Sequence, residues 1–138
     1  MSQTFDFDDW LEICNLKARY CRLLDTKDWD GWAALFTEDC EIDTRPAGGT
    51  LETGRDGFVT MVRRSLAEAK TVHQIHSPEI TIDGDIGEAV WAMQDRVVKD
   101  DFALTGYGHY HETYRRSADG WKIARQKLSR LIVDIART

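Results

Sequence analysis

The sequence predicts an α+β domain, about three N-terminal-half helices packed on one face of a curved sheet of mixed or antiparallel strands. Three observations predict it. Apolar residues recur at helical spacing as far as Leu66, the texture changes to period two after residue 70, and turn sequences divide that second part into long strands. Helices followed by a meander place the helices together against one face of the sheet.

The first helix runs from Asp8 or Asp9, either a suitable cap, to about Asp25; Trp10, Ile13, Leu16, Tyr20 and Leu23/Leu24 form its apolar stripe. Asp28 is a good N-cap for a second, short helix through Trp29, Trp32, Ala33 and Phe36. Cys40 to Asp43 reads as a short strand and Pro46 to Thr50 as a loop. Gly54-Arg55-Asp56-Gly57 then opens a third helix carrying Phe58, Val62 and Leu66. Strands follow at 72–83, 87–99, 103–117 and 121–134. Asp83-Gly84-Asp85 and Asp119-Gly120 supply hairpin turns.

At 138 residues the chain is read as one domain with a single core, residues 1–7 forming a flexible N-terminus. A net charge of −6 without a Lys/Arg cluster argues against nucleic acid, and no apolar run is long enough for a membrane span. The acidic start lacks the pattern of a secretory signal. Three cysteines, an odd number without CxxC spacing, read as free thiols; Cys14 and Cys21 share a helix face. The expected location is the cytoplasm.

His73 and Asp25 carry the chemical expectation. Histidine exchanges a proton near neutral pH, and a carboxylate beside it makes an acid/base pair. A carboxylate ending a helix opposes the helix dipole, so Asp25 needs a reason to be there: a turn into the next helix, or a partner such as His73. On the strands, Asp95 shares a face with Trp91, Met93 and Val97, and Arg125 with Trp121 and Ile123. Two charges on apolar faces imply either a structural Asp95–Arg125 pair or a polar lining in an apolar cavity. His109 and His111 share a strand face as an HxH metal site requires. His73 and His76 fall on opposite faces, however, and no cysteine ligands lie near, so no metal is expected. Trp29, Trp32, Trp91, Met93 and Tyr107 are candidates to line a pocket for a ring-shaped ligand, with plain core packing as the alternative. Gly106-Tyr107-Gly108 lacks the βαβ context of a phosphate loop.

Several stretches together resemble a known family. They are Tyr20-x4-Asp25, the run Lys27-Asp28-Trp29-Asp30-Gly31-Trp32-Ala33-Ala34-Leu35-Phe36-Thr37-Glu38-Asp39, Gly54-Arg55, and Thr71-Val72-His73 with Ile80-x-Ile82-Asp83-Gly84-Asp85. The last is Tyr110-x3-Tyr114-x-Arg116-x3-Gly120-Trp121-Lys122-Ile123. In order and spacing, from about residue 8 to 134, they resemble the SnoaL-like branch of the nuclear transport factor 2-like superfamily. The likeness is to its scytalone dehydratase, bile-acid 7α-dehydratase and hexachlorocyclohexane dehydrochlorinase group. The resemblance implies a cone with a deep pocket, a catalytic His–Asp pair at His73 and Asp25, a pocket tyrosine at Tyr20 and a pocket acid at Asp95. It also implies a second histidine at His109 and a homo-oligomer, a trimer before a dimer. Apolar residues on both faces of the last strand favour oligomerisation independently.

The expected activity is therefore that of a cofactor-independent, dehydratase-type lyase acting on a small hydrophobic cyclic or polycyclic molecule. His73 is the general base, Asp25 orients it, Tyr20 donates a hydrogen bond, and Asp95, Arg125 and His109 shape the polar end of the pocket. An isomerase or polyketide-type cyclase with the same base is one alternative. A non-catalytic ligand-binding or assembly module is another.

Overall fold

The computed structural model describes residues 5–138; of the expected flexible segment 1–7, residues 1–4 lie outside the described residues. Helix α1 spans Phe7–Asp25, and its N-cap is Asp6 rather than Asp8 or Asp9. The Asp6 carboxylate accepts from the N–H groups of Asp8 (3.0 Å) and Asp9 (3.2 Å), satisfying two otherwise unpaired donors of the first turn. Helix α2, Trp29–Ala33, is capped by Asp28, which accepts from the Gly31 N–H at 3.0 Å. It stops before Phe36, where strand β1 (Phe36–Asp43) begins earlier than expected. A 3₁₀ turn at Arg45–Ala47 and strand β2 (Leu51–Thr53) occupy the region read as loop; three residues are too few to show a period. Helix α3 covers Arg55–Leu66. Strands β3 (Lys70–Asp83), β4 (Ile86–Lys99), β5 (Phe102–Ser117) and β6 (Gly120–Arg137) make the meander, each within a few residues of its expected limits.

The six strands form one unclosed sheet in the order β2-β1-β6-β5-β4-β3, antiparallel throughout except for parallel β1 and β6. The three helices cover one face. Ile13, Leu16 and Leu24 of α1, Trp32, Phe36 and Phe58 meet Trp91, Met93, Tyr110 and Ile123 of the sheet in a single core. Three one-residue bulges interrupt the pleat: at Ser77-Pro78 in β3, at Ala124 and at Leu131 in β6. Each extra residue exchanges the faces of the side chains beyond it. Pro78 fits there because a bulge spares a ladder N–H. β1 covers the edge of β6 only as far as Lys127; past it Leu131, Ile132, Val133 and Ile135 stand exposed.

Two ionic contacts tie α1 to β5, one at the surface and one in the core. Near the N-terminus Asp9 accepts a hydrogen bond from each terminal guanidinium nitrogen of Arg116 (2.7 Å each), and its Oδ1 also accepts from the Trp121 indole at 3.1 Å. This pairing withdraws Asp9 from capping. The Arg116 hydrogen bonds hold the Asp9 carboxyl at about 2, below its ordinary 3.8, against a smaller opposing effect of burial. In mid-helix Lys17, fully buried, donates to Glu112 Oε2 at 2.9 Å and lies 3.5 Å and 3.6 Å from the ring centres of Tyr20 and Tyr110. Burial lowers the Lys17 proton affinity and the Glu112 charge opposes that. Glu112 also accepts from Tyr114 Oη (2.6 Å) and Gln126 Nε2 (2.5 Å), and Tyr114 accepts from the Trp91 indole at 2.8 Å. Every charge in this network is therefore compensated inside the core, which is the condition for keeping it there. The cysteines Cys14, Cys21 and Cys40 are unpaired, and among the described residues no helix is long and apolar enough to cross a membrane.

Asp9→Asn leaves one guanidinium hydrogen without its acceptor and is expected to cost about 1–2 kcal/mol at neutral pH. Because the folded carboxyl titrates below its ordinary value, its contribution is complete above pH 4 and fades as pH falls toward about 2. The variant's acid unfolding curve should be flatter across that window, and a curve parallel to wild type would contradict the assignment. Lys17→Met leaves Glu112 charged and alone in the core, at an expected cost of about 3–5 kcal/mol. Adding Glu112→Leu should recover much of that loss in denaturant melts, whereas additive losses would show that the pair is not a coupled unit.

Candidate active site

Helix α1 ends at the rim of the inner sheet face, where β3 begins. A Schellman turn closes it: the N–H of Lys27 donates to Leu24 O (3.2 Å) and that of Asp28 to Leu23 O (2.9 Å). The turn aims the Asp25 carboxylate at the first residues of β3. Asp25 Oδ2 accepts from the backbone N–H of His73 at 2.8 Å, and Oδ1 lies 2.7 Å from His73 Nδ1 and accepts from Thr71 Oγ1 at 2.9 Å. Lys27 Nζ in turn donates to Thr71 Oγ1 at 2.8 Å.

These contacts determine where the protons are. An ammonium only donates and a carboxylate only accepts, so the Thr71 hydroxyl hydrogen points at Asp25. The same carboxylate oxygen requires a hydrogen on His73 Nδ1. In the neutral ring Nε2 then carries the lone pair, the arrangement of a general base. The His73 side chain is 8% and that of Asp25 20% exposed, so the pair is nearly closed off from solvent. Three accepted hydrogen bonds also explain why a carboxylate is tolerated at a helix C-terminus.

Asp95 stands directly across from His73 in the β3–β4 ladder, followed by Gly106 on β5. It is buried, and its partner is Arg130 rather than Arg125: two guanidinium nitrogens donate to its two oxygens at 2.7 and 2.8 Å. A side chain at Gly106 would collide with that guanidinium, so this glycine keeps open the passage by which Arg130 reaches Asp95. Gly108 similarly admits the β6 backbone at Ser129 and Arg130. The expected Asp95–Arg125 pairing is thus corrected, and the Ala124 bulge is its cause. Beyond the bulge Gln126 faces inward and Arg125 outward, where it pairs with Glu41 at 3.2 Å. Tyr107 and His109 also alternate to the outer face, between inward Gly106, Gly108 and Tyr110, so they do not line the inner site.

Of the remaining candidates, Trp29, Trp32, Trp91 and Met93 are buried members of the core. The Trp32 indole N–H is a buried donor without a hydrogen-bond partner. Tyr20 is buried against Trp32 and Tyr110, and its hydroxyl donates to Gln126 Oε1 at 3.3 Å. Contact with a bound molecule therefore requires exchange of that long bond. His109 and His111 have ring centres 6.3 Å apart, but among the described residues no three His, Cys, Asp or Glu side chains converge as a metal site would need. An outer-face trough of about 450 Å³, lined in part by Glu41, Glu79, Glu88, His111 and Lys127, lies across the sheet from the His73–Asp25 pair.

Arg130, Thr71, Lys27 and the Lys17–Glu112 pair are absent from the sequence-based candidates. A lysine within the α1 stripe and a glutamate between Tyr110 and Tyr114 at matching parity were the available signals for the last. For Arg130 there was none, since the bulge at Ala124 precedes it on β6 and reverses its face relative to Trp121 and Ile123.

Residues 6–127 match the model of the SnoaL-like domain. The chain is 25% identical to "Probable cyclase FGR4" of Gibberella zeae, covering 83% of this chain and 86% of that protein. It is 27% identical to the anthranilate 1,2-dioxygenase small subunit of Burkholderia cepacia, over 97% of this chain and 92% of the relative. A "putative aromatic ring hydroxylase" structure from Novosphingobium aromaticivorans superposes with a TM-score of 0.89 at 27% identity, covering 98% and 96% of the two chains. Structures described as a "putative scytalone dehydratase" from the same organism (22% identity, 92% and 87% covered) and as a LinA hexachlorocyclohexane dehydrochlorinase (14%, 93% and 88%) share the fold, each with a TM-score of 0.82. On the extent of the family match the chain belongs to the SnoaL-like domain family, and it shares its fold with a structure described as an NTF2-like protein with a cystatin-like fold.

Proposed function

We propose that the protein is a cofactor-independent lyase of dehydratase type, acting on a small hydrophobic cyclic molecule that carries a carbonyl and a β-leaving group. One observation carries this reading: the contact of His73 Nδ1 with a carboxylate that is itself clamped by the backbone and Thr71. The likeness to a cyclase and the fold shared with a dehydratase and a dehydrochlorinase support the broader class.

In the proposed reaction His73 Nε2 takes the proton from carbon next to the carbonyl, and the electron pair of that C–H bond forms the enolate. Collapse of the enolate makes the C=C bond and expels hydroxide from the β-carbon; the imidazolium returns its proton, and water leaves. Asp25 holds the ring and stabilises the imidazolium. Tyr20, once released from Gln126, steadies the oxygen that gains charge. Asp95, opposite His73 and neutralised by Arg130, forms the polar wall. Trp29, Trp32, Trp91 and Met93 belong to the apolar side, with the Trp32 indole N–H as a free donor.

His73→Ala and Asp25→Asn should each lower turnover about 10²–10⁴-fold with melting temperatures near wild type. The screen begins with mass spectrometry of molecules retained on native purification. Undiminished turnover in either variant would end the dyad mechanism. A product lighter by 18 Da marks dehydration, whereas an isobaric product identifies an isomerase or cyclase with the same base.

The full-length likeness to a dioxygenase small subunit favours one second reading, a non-catalytic assembly module. It requires that neither variant alter function. In both readings we assign the exposed end of β6 to a homo-oligomer, a trimer before a dimer. Light scattering should then give two or three times 15.8 kDa, and a monomer across the micromolar range would refute the assignment.

A further inference from the structure

Lys27 occupies a position that chemistry would give to glycine. It is the first residue beyond the α1 cap, in the left-handed region at φ +64°, and both Schellman hydrogen bonds close around it. A side chain with a Cβ is strained there, as glycine is not. The half-buried ammonium is aimed at one atom, Thr71 Oγ1, 2.8 Å away. Burial weakens its hold on the proton and the Asp25 charge strengthens it. Strain and desolvation thus concentrate on a residue one hydroxyl removed from the candidate base.

We propose that Lys27, acting through Thr71, is a positioning residue that sets the proton affinity of His73. This rests on the His73–Asp25 reading and extends it. The chain Lys27 Nζ–H to Thr71 Oγ1–H to Asp25 Oδ1 runs in one direction, since neither end can reverse its role. It draws electron density from the carboxylate that would otherwise stabilise the imidazolium. The cation itself also opposes a second positive charge on the ring. Both effects keep His73 neutral, as a base must be before it accepts a proton, while the threonine fixes the carboxylate that orients it. Other ionisable groups facing this corner are Asp95 with its partner Arg130, Cys21 on α1, which feels the Asp25 charge, and Tyr110, which feels that of Asp95. Asp95 faces this corner as an ion pair, both of its oxygens held by Arg130. Lys27 is the cation on the α1 side.

The test needs no substrate. In protein labelled with ¹⁵N-histidine, long-range imidazole spectra report both tautomer and titration midpoint for each of the four rings, and His73→Gln identifies the His73 signals. Lys27→Met and Thr71→Val should each raise the His73 midpoint by about 0.5–1 pH unit. Lys27→Arg and Thr71→Ser, which keep the cation and the hydroxyl, should titrate close to wild type. Lys27→Gly guards against misfolding: it relieves the left-handed strain, so it should melt no lower than wild type while shifting His73 as Lys27→Met does. Midpoints within about 0.2 of wild type for Lys27→Met or for Thr71→Val overturn the proposal, as does a fall in either. Failure of the dyad reading looks different: Asp25→Asn would then leave the His73 tautomer and midpoint unmoved, whereas a change there beside silent Lys27 variants would spare the dyad and remove only the relay.

Discussion

The geometry of this protein depends on how one amphipathic helix is fastened to a sheet across a dry interface. Three ionisable side chains on α1, Asp9, Lys17 and Asp25, recur at eight-residue intervals, each about 12 Å from the next along the axis. Each meets a partner from the sheet: Arg116 and Glu112 on β5, His73 on β3. Desolvating these groups is unfavourable, and each becomes tolerable only because its counterpart is held at hydrogen-bonding distance. Apolar packing alone would let the helix slide by a turn at modest cost; the three polar ties admit one axial position. The reactive corner inherits its definition from that constraint, because Asp25 is the last residue of the helix.

The middle tie is chemically distinct from the outer two. Lys17 and Glu112 lie wholly within the core, between the faces of Tyr20 and Tyr110 and under hydrogen bonds from Tyr114 and Gln126. Burial and the Glu112 charge push the Tyr114 and Tyr20 hydroxyls far from ionisation, so these phenols act as hydrogen-bond donors and not as acids. They separate the fastened interior from the rim, where His73 and Asp25 retain slight access to water. The division leaves proton exchange to the rim.

Much of the architecture could be read from the chain because local signals agreed with the final fold. The α1 stripe, the Asp28 cap, the change to period two and the two hairpin turns all survive in the structure. The meeting of Asp25 with His73 was legible too, from a carboxylate misplaced against a helix dipole and from the family resemblance. The losses have physical causes. Alternation assigns a face only while the pleat is unbroken, and the bulge at Ala124 turned Arg125 outward and brought Gln126 in. The same bulge lies between Ile123 and Arg130, so a count along β6 puts Arg130 on the wrong face. Strand β2 is too short to display a period. Lys17 and Glu112 stood on apolar faces in plain view, but a charge there reads as a strand or helix end until its partner is known. Thr71 and Lys27 matter through hydrogen bonds that no spacing encodes.

The bulge at Ala124 also governs how β6 can change. Its two halves are out of phase by one residue, and that offset seats Trp121 and Ile123 inward on one side and Gln126 inward on the other. Loss of Ala124 alone would close the bulge: Ile123, Arg125 and Gln126 would alternate in one unbroken pleat, with Arg125 still outward and Gln126 still facing Glu112. Loss of Ala124 and Arg125 together would make Gln126 the neighbour of Ile123 and turn it outward, so that the amide holding Glu112 would be lost to solvent. Odd and even changes in length therefore carry unequal penalties at this point, a rule of parity imposed by one alanine.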